Sequence, residues 1–475
     1  MKITTRRTCA ILAAISLVSV AWPASATDFY YTNPANGNWD TTSAFWAATQ
    51  TGSPTLMWQN GSTNRALLDI AGATSSPSRT VTLNESGITA QSLLFDGSHS
   101  TSNGQTWTYD LANPQGGPNT LTLNGGAITF NFITGNNVGV INAQVDTNIS
   151  AVDATLNPID LTVLVAGTDT TTSAFGNTTL TLNGANTFRD LHIGGGILGP
   201  GSAAPANTVF VQNSAGIAST SNVYLDTGNG GNGASTTLGG ASFAAGTANG
   251  SPVDITINSV ILNNGGTYNS SQLFRVGASQ FTTLDITGSI SGPGDLMFAA
   301  GFSGGAGTVV LHAQSTYGNG ASGSQTTFNA AGSSATGPGV VQLAIDDALP
   351  TNTRLVWGFN TNGNGGTLDL NGHNQTVSSV FSKFGAANSV ITNNDPTGLS
   401  TSIFTISGSD SPGAFSVPIV DGISGGKVAL VRAGTGTTIL ANPANSYSGG
   451  TTITGGTLSI GSDSELGSAS SETNT

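Results

Sequence analysis

The chain has 475 residues, of which 66 are Gly, 11 are Lys or Arg, 24 are Asp or Glu and one is Cys. Gly thus stands at about twice its usual share, while charge, at 7%, is about a quarter to a third of the usual amount. With 37% apolar residues and no strict three-residue Gly period, the composition excludes both a disordered chain and a collagen.

Residues 1–26 read as an export signal. Lys2, Arg6 and Arg7 precede the apolar stretch from Cys9 to Trp22, and Ala24-Ser25-Ala26 offers small residues to a signal peptidase. Cleavage is expected after Ala26. Ordinary Sec export is the plainer route, with the neighbouring arginines leaving a twin-arginine route as the alternative. Cys9 lies at the start of the apolar stretch rather than at its end, so a lipoprotein is excluded. The mature chain then has no cysteine, and its eight bases stand against 24 acids for a net charge of −16. These bases are scattered singly, which excludes a phosphate-neutralising stripe for nucleic acid and a basic patch for anionic lipid. No later apolar run is long enough to cross a bilayer as a helix, so the mature chain is expected not to span a membrane.

The mature sequence is read in two parts: residues 27–115, an aromatic-rich cap with the first coils, and residues 116–475, a solenoid. Phe29, Tyr30, Tyr31, Trp39, Trp46 and Trp58 crowd the first part. They are expected to plug an open first coil, which would otherwise offer unpaired backbone to other chains; a sugar-binding platform is the alternative. Next come short alternating strands rich in Thr, Val, Ile and Leu: residues 80–83, 92–95, 120–123, 161–165, 283–286 and 367–370. Almost nothing has helical period, which leaves a series of β-sandwiches or a stack of coils.

A long repeat favours the stack. The run 178–188, Thr-Thr-Leu-Thr-Leu-Asn-Gly-Ala-Asn-Thr-Phe, returns in looser form at 308–317 and 437–447. Its aromatic positions Phe188, Tyr317 and Tyr447 are almost evenly spaced, as if one block of several coils had been duplicated. Leucines would point inward and threonines outward, with Gly449 and Gly450 free to take positive φ at the turn. Parallel stacking sets like residues over like, so charge would form repelling columns, and neutral Thr, Asn and Gly avoid them.

The segment Asn442-Pro443-Ala444-Asn445-Ser446-Tyr447-Ser448-Gly449-Gly450 through Gly461 resembles the autotransporter-associated β-strand repeat, also called the passenger-associated transport repeat; 437–461 is the strongest copy. Residues 348–350 with 366–377 are similar to the stretch between such repeats, and Asn38-Trp39 through Phe95 resembles the usual start of these proteins. The resemblance implies an all-β, right-handed parallel β-helix passenger, exported through the inner membrane and displayed at or released from a Gram-negative surface. If outer-membrane transport is lacking, it implies a periplasmic protein. Family members often end in a β-barrel translocator, and no such strand series is legible before Thr475; a barrel on another polypeptide is one reading.

The residues offer little catalytic chemistry. His99, His192, His312 and His373 form no metal pair in sequence and read as turn or surface histidines. The Gly-x-Ser-x-Gly runs at 301–305 and 422–426 have no helix after them, and Gly228-x-Gly230-x-x-Gly233 has no βαβ unit, so all three read as loops. Asp346-Asp347 with Arg354 is the best remaining cluster for Ca²⁺ or a uronic-acid substrate, though an acidic pair at a turn is the plainer reading. No catalytic, cofactor-binding or metal site is therefore assigned. The expectation is a monomeric structural or adhesive surface protein, not an enzyme, meeting glycans or proteins of a host or matrix. A polysaccharide lyase or hydrolase on the same scaffold and a carbohydrate-binding protein are the alternatives. About 20 coils of about 22 residues would give a rod of roughly 95 Å.

Overall fold

In the computed structural model the described residues are 27–32, 36–69, 78–96, 106–113, 119–131, 140–166, 178–194, 207–226, 241–246, 252–263, 274–279, 281–298, 307–318, 325–328, 339–358, 365–383, 388–409 and 413–468. The expected export signal lies outside them. Among the described residues, strands fall into sheets of 11, 12, 6, 4 and 3 strands. One turn of the chain shows how they are related. Asp254–Ile257, Val260–Asn263 and Phe274–Ala278 belong to the 6-, 11- and 12-stranded sheets in turn, and Thr283–Ile286 then returns to the 6-stranded sheet, pairing in parallel with Asp254–Ile257. Each coil thus visits three faces, and each sheet is a ladder of successive coils. Near the carboxy end the 3-stranded sheet continues the 12-stranded one, tied to it where Ser416 N donates to Ser382 Oγ at 3.0 Å.

Among the described strands only Thr27–Tyr31 with Trp46–Ala47 pairs antiparallel. Parallel ladders of this length define a parallel β-helix and remove tandem sandwiches, whose sheets are antiparallel. The interior is built from stacked apolar columns. Phe29, Ala66, Leu93, Ile128, Val163, Ile193, Leu225 and Leu262 follow one another in register, all buried. Each Val, Leu or Ile so buried contributes about 1.5–3 kcal/mol. Charge stacks as an opposite pair at Asp28 and Arg65, direct register partners with Arg65 Nη2 donating to Asp28 Oδ2 at 2.6 Å, but as a like pair at Asp69 and Asp96.

The register corrects the expected coil size. Steps in that column range from 27 to 37 residues, while Leu430 to Thr451 and Thr438 to Leu458 are 21 and 20. At about 30 residues per coil there are about 14 steps of ~4.8 Å, a stack of roughly 70 Å rather than 95 Å. Only the last coils have about 22 residues; earlier ones spend extra residues between strands.

The repeat is a turn, not a block. In all three copies the aromatic ring is buried. The residue before it donates its N–H to an isoleucine carbonyl on the preceding coil: Thr187 to Ile149, Thr316 to Ile290 and Ser446 to Ile419, at 2.8, 2.9 and 3.0 Å. The side chain before that accepts from the same isoleucine N–H: Asn186 at 2.8 Å, Ser315 at 3.4 Å and Asn445 at 2.9 Å. Yet Thr178–Leu182 lies in the 12-stranded sheet and Thr308–Leu311 in the 6-stranded sheet, while Thr437–Leu440 returns to the 12-stranded face. The near-even spacing of the copies is therefore not a whole number of coils. Of Gly449 and Gly450, only Gly450 takes positive φ, at 90°. Gly449 serves close approach instead, since a Cβ there would lie 2.6 Å from the Val428 carbonyl oxygen.

The amino-terminal aromatics close the first coil. Trp39, Trp46 and Trp58 have ring centroids 4.9 to 5.1 Å apart, with Phe29 against Trp58 and Tyr31 against Trp46. These five rings are buried, so they form a plug and not an exposed platform; Tyr30 alone turns outward, half-buried.

Candidate functional site

Strand geometry gathers polar residues that the sequence separates. On the 11-stranded sheet, Thr162, His192 and Tyr224 are successive register partners, and Asp226 sits two residues along from Tyr224 on the same outward face. The His192 ring stacks on Tyr224 with centroids 4.2 Å apart and planes 3° from parallel. Its Nδ1 lies 2.9 Å from Asp226 Oδ2, and its Nε2 lies 3.8 Å from Asp160 Oδ2. Asp226 is itself oriented by Asn263 Nδ2, which donates to its other oxygen at 2.9 Å. Arg189 grips Asp160 bidentately, Nε to Oδ1 at 2.7 Å and Nη2 to Oδ2 at 2.8 Å. Asp190 accepts from Asn222 N at 2.7 Å at the edge of the group.

This arrangement has a defined electrostatic sense. Hydrogen bonding to Asp160, then its charge, raises the Arg189 pKa above its usual value. Partial burial, then the negative charge of Asp190 and Asp160, pushes the Tyr224 phenol up as well. Three carboxylates against one guanidinium leave the face negative, which opposes an acidic sugar and favours a neutral or cationic ligand. The His192 imidazole is held between two carboxylates, Nδ1 towards Asp226 and Nε2 towards Asp160, on the outward face of the sheet. His192 is thus not a turn histidine. No local motif marks it, because its partners lie one coil away.

The same rule covers the other imidazoles. His312 Nε2 is 2.8 Å from Asp285 Oδ1, and His373 Nδ1 is 3.4 Å from Asp346 Oδ1, each partner lying one coil back. His99 lies outside the described residues, as do the runs 301–305 and 228–233. Gly422 to Gly426 is a tight turn in which Gly425 N donates to the Gly422 carbonyl, followed by a strand and not by a helix.

The cluster Asp346, Asp347 and Arg354 is not assembled. Asp346 accepts from the backbone and side-chain nitrogens of Asn374, which hold its carboxyl below the usual range, and Asp347 accepts from Thr376 N. Arg354 instead donates to Gln325 Oε1 across the 12-stranded sheet, and no ion pair joins it to either aspartate. Both acids therefore staple a turn to the next coil. Among the described residues no group of three or more His, Cys, Asp or Glu is placed to hold a metal ion, and no helix is long and apolar enough to cross a membrane.

The architecture is that of a parallel β-helix. Residues 430–460 match the Passenger-associated-transport-repeat family. They span the last coils, where the register steps are shortest. The chain thus carries the repeat of autotransporter passengers, a class exported to the cell surface. Neither curated proteins nor solved structures give a match.

Proposed function

We propose that the chain is an exported passenger whose β-helix acts as a rod at the cell surface or in the medium, with a structural or adhesive role and no catalysis of its own. The repeat at 430–460 closing a continuous parallel stack carries this reading. Its partners are glycans or proteins of a host or matrix, reached without a cofactor. Expression of the whole gene in a Gram-negative host, followed by fractionation and protease shaving of intact cells, tests the location. Retention in the cytoplasm would overturn it. Binding to immobilised matrix proteins and to a glycan array tests adhesion; no retention on any surface would leave a purely structural rod.

The second reading, a glycan-degrading enzyme, is favoured by one observation, the Asp226–His192 pair set beside Asp160 and Arg189 on an outward sheet face. It requires turnover of neutral or amino glycans that His192→Ala and Asp226→Ala abolish while Asp346→Ala and Asp347→Ala do not. No turnover across a broad panel removes it.

A further inference from the structure

Charge is divided unequally among the three faces. The described strands of the 6-stranded sheet carry Asp254, Asp285 and Asp369 and no base. Those of the 12-stranded sheet carry Arg79, Arg275 and Arg354 against Asp110 alone. Bases that stand singly in the sequence are thus gathered by the coils onto one face of an otherwise acidic rod.

Two of these arginines are left without a countercharge. Phe274, Val276, Leu355 and Trp357 turn into the core, so alternation points Arg275 and Arg354 outward, and each keeps part of its surface in solvent. Among the described residues no carboxylate pairs with either. Burial alone pushes the Arg275 pKa below its usual value, with no charged neighbour to offset it. Arg354 is held in place by a neutral acceptor, its Nη2 donating to Gln325 Oε1 at 2.9 Å, while its Nε is buried with no acceptor. Gln325 is anchored in turn by donating to Thr327 Oγ1 at 2.7 Å. Asp295, the acid nearest in register, accepts from Gln325 N at 2.8 Å and forms no ion pair with either arginine. A partly desolvated guanidinium with open donors favours an anion, which it can grip through two parallel N–H bonds.

The spacing selects the kind of anion. From Arg275 the register runs through Met297 and Thr327 to Val356, and Arg354 lies two residues before Val356. Three steps of ~4.8 Å and two residues of ~3.3 Å set the two Cα atoms about 16 Å apart, chiefly along the stack. One small anion cannot reach both, whereas a linear polymer with repeated charges can. We propose that the 12-stranded face binds a linear anionic polysaccharide lying along the stack, with its carboxylate or sulfate groups on Arg275 and Arg354. This rests on the reading of the chain as a rod that meets glycans, and it names their charge. The site is separate from the His192 group, whose negative face opposes such a ligand.

Biolayer interferometry of the secreted chain on immobilised polygalacturonate, dextran sulfate and neutral dextran tests the proposal. Binding is expected to one or both anionic polymers and not to dextran, and the preferred polymer distinguishes carboxylate from sulfate. Arg354→Gln and, independently, Arg275→Gln should weaken binding roughly tenfold, a cost of about 1.4 kcal/mol. Arg354→Lys, which keeps the charge and loses the fork, should fall between Arg354→Gln and the unaltered chain. Circular dichroism should be unchanged in each, and if Arg275→Gln does not fold, Arg354→Gln decides. Lys427→Gln, at an exposed site on the 4-stranded sheet, should leave binding intact. Binding to neither anionic polymer, undiminished binding by the glutamine variants, or tighter binding to immobilised polyglutamate would overturn the proposal. Retention on neutral glycans alone would do so while leaving the adhesive reading in place, and protease shaving reports location independently of both.

Discussion

Replacing Asn445 with alanine probes the turn that recurs along the stack. Its Oδ1 accepts from Ile419 N at 2.9 Å and its Nδ2 donates to the Glu465 carbonyl at 2.7 Å, so Asn445→Ala strands one donor and one acceptor near the core. An unpaired buried polar group costs about 1–3 kcal/mol, so the loss should be roughly 2–4 kcal/mol. Each coil touches only its neighbours, so the damage should stay local. Hydrogen exchange should show the Ile419 amide losing protection while the Ile149 amide keeps it. The copies rank the effect. Asn186→Ala should match Asn445→Ala, because Asn186 makes the same two bonds, to Ile149 N and to the Gly216 carbonyl. Ser315→Ala, which removes one long bond of 3.4 Å, should cost under about 1 kcal/mol. Equal losses at all three positions, or an Ile419 amide still protected in Asn445→Ala, would refute the reasoning.

Trp46→Ala should cost about 3–5 kcal/mol and expose the amides of residues 27–69 first, whereas Trp46→Phe should cost far less because the indole N–H has no acceptor. Gly184→Ala should be among the most damaging single changes, since its Cβ would fall 2.1 Å from the Thr147 carbonyl oxygen; expression and thermal melting would show it. The Asp395 carboxyl is held well below the usual range by hydrogen bonds from Thr397 and Ser400. A lowered folded pKa gives stability that is present above the unfolded value of about 3.9 and lost only as pH falls through the lower folded one. Exchange protection at Thr397 and Ser400 N should thus persist well below pH ~4, and Asp395→Asn should reduce it at every pH.

Strands were legible in the sequence because a buried face writes itself as alternation: residues 80–83, 92–95 and 283–286 all lie within strands of the stack. The aromatic plug was legible because so many rings in one short segment have few other places to go. Coil size was not, since register is set by parallel pairing between chain segments 20 to 44 residues apart, with inserts of varying length between strands. For the same reason the copy at 308–317 looked in phase while sitting on another face. The histidine partners were hidden likewise. His192 meets an aspartate on the following coil, Asp226, and His312 one on the preceding coil, Asp285, so no fixed spacing announces them. Asp346 and Arg354 are close in sequence, but a corner of the coil sends them to different faces.

A three-faced parallel stack of about 30-residue coils has a defined mass per unit length, which tests the architecture most directly. The cross-section analysis of small-angle scattering from the secreted chain should give about 0.6 kDa per Å, one coil per ~4.8 Å. A profile without a rod-like region, as from a compact globule or a string of sandwiches, would contradict it.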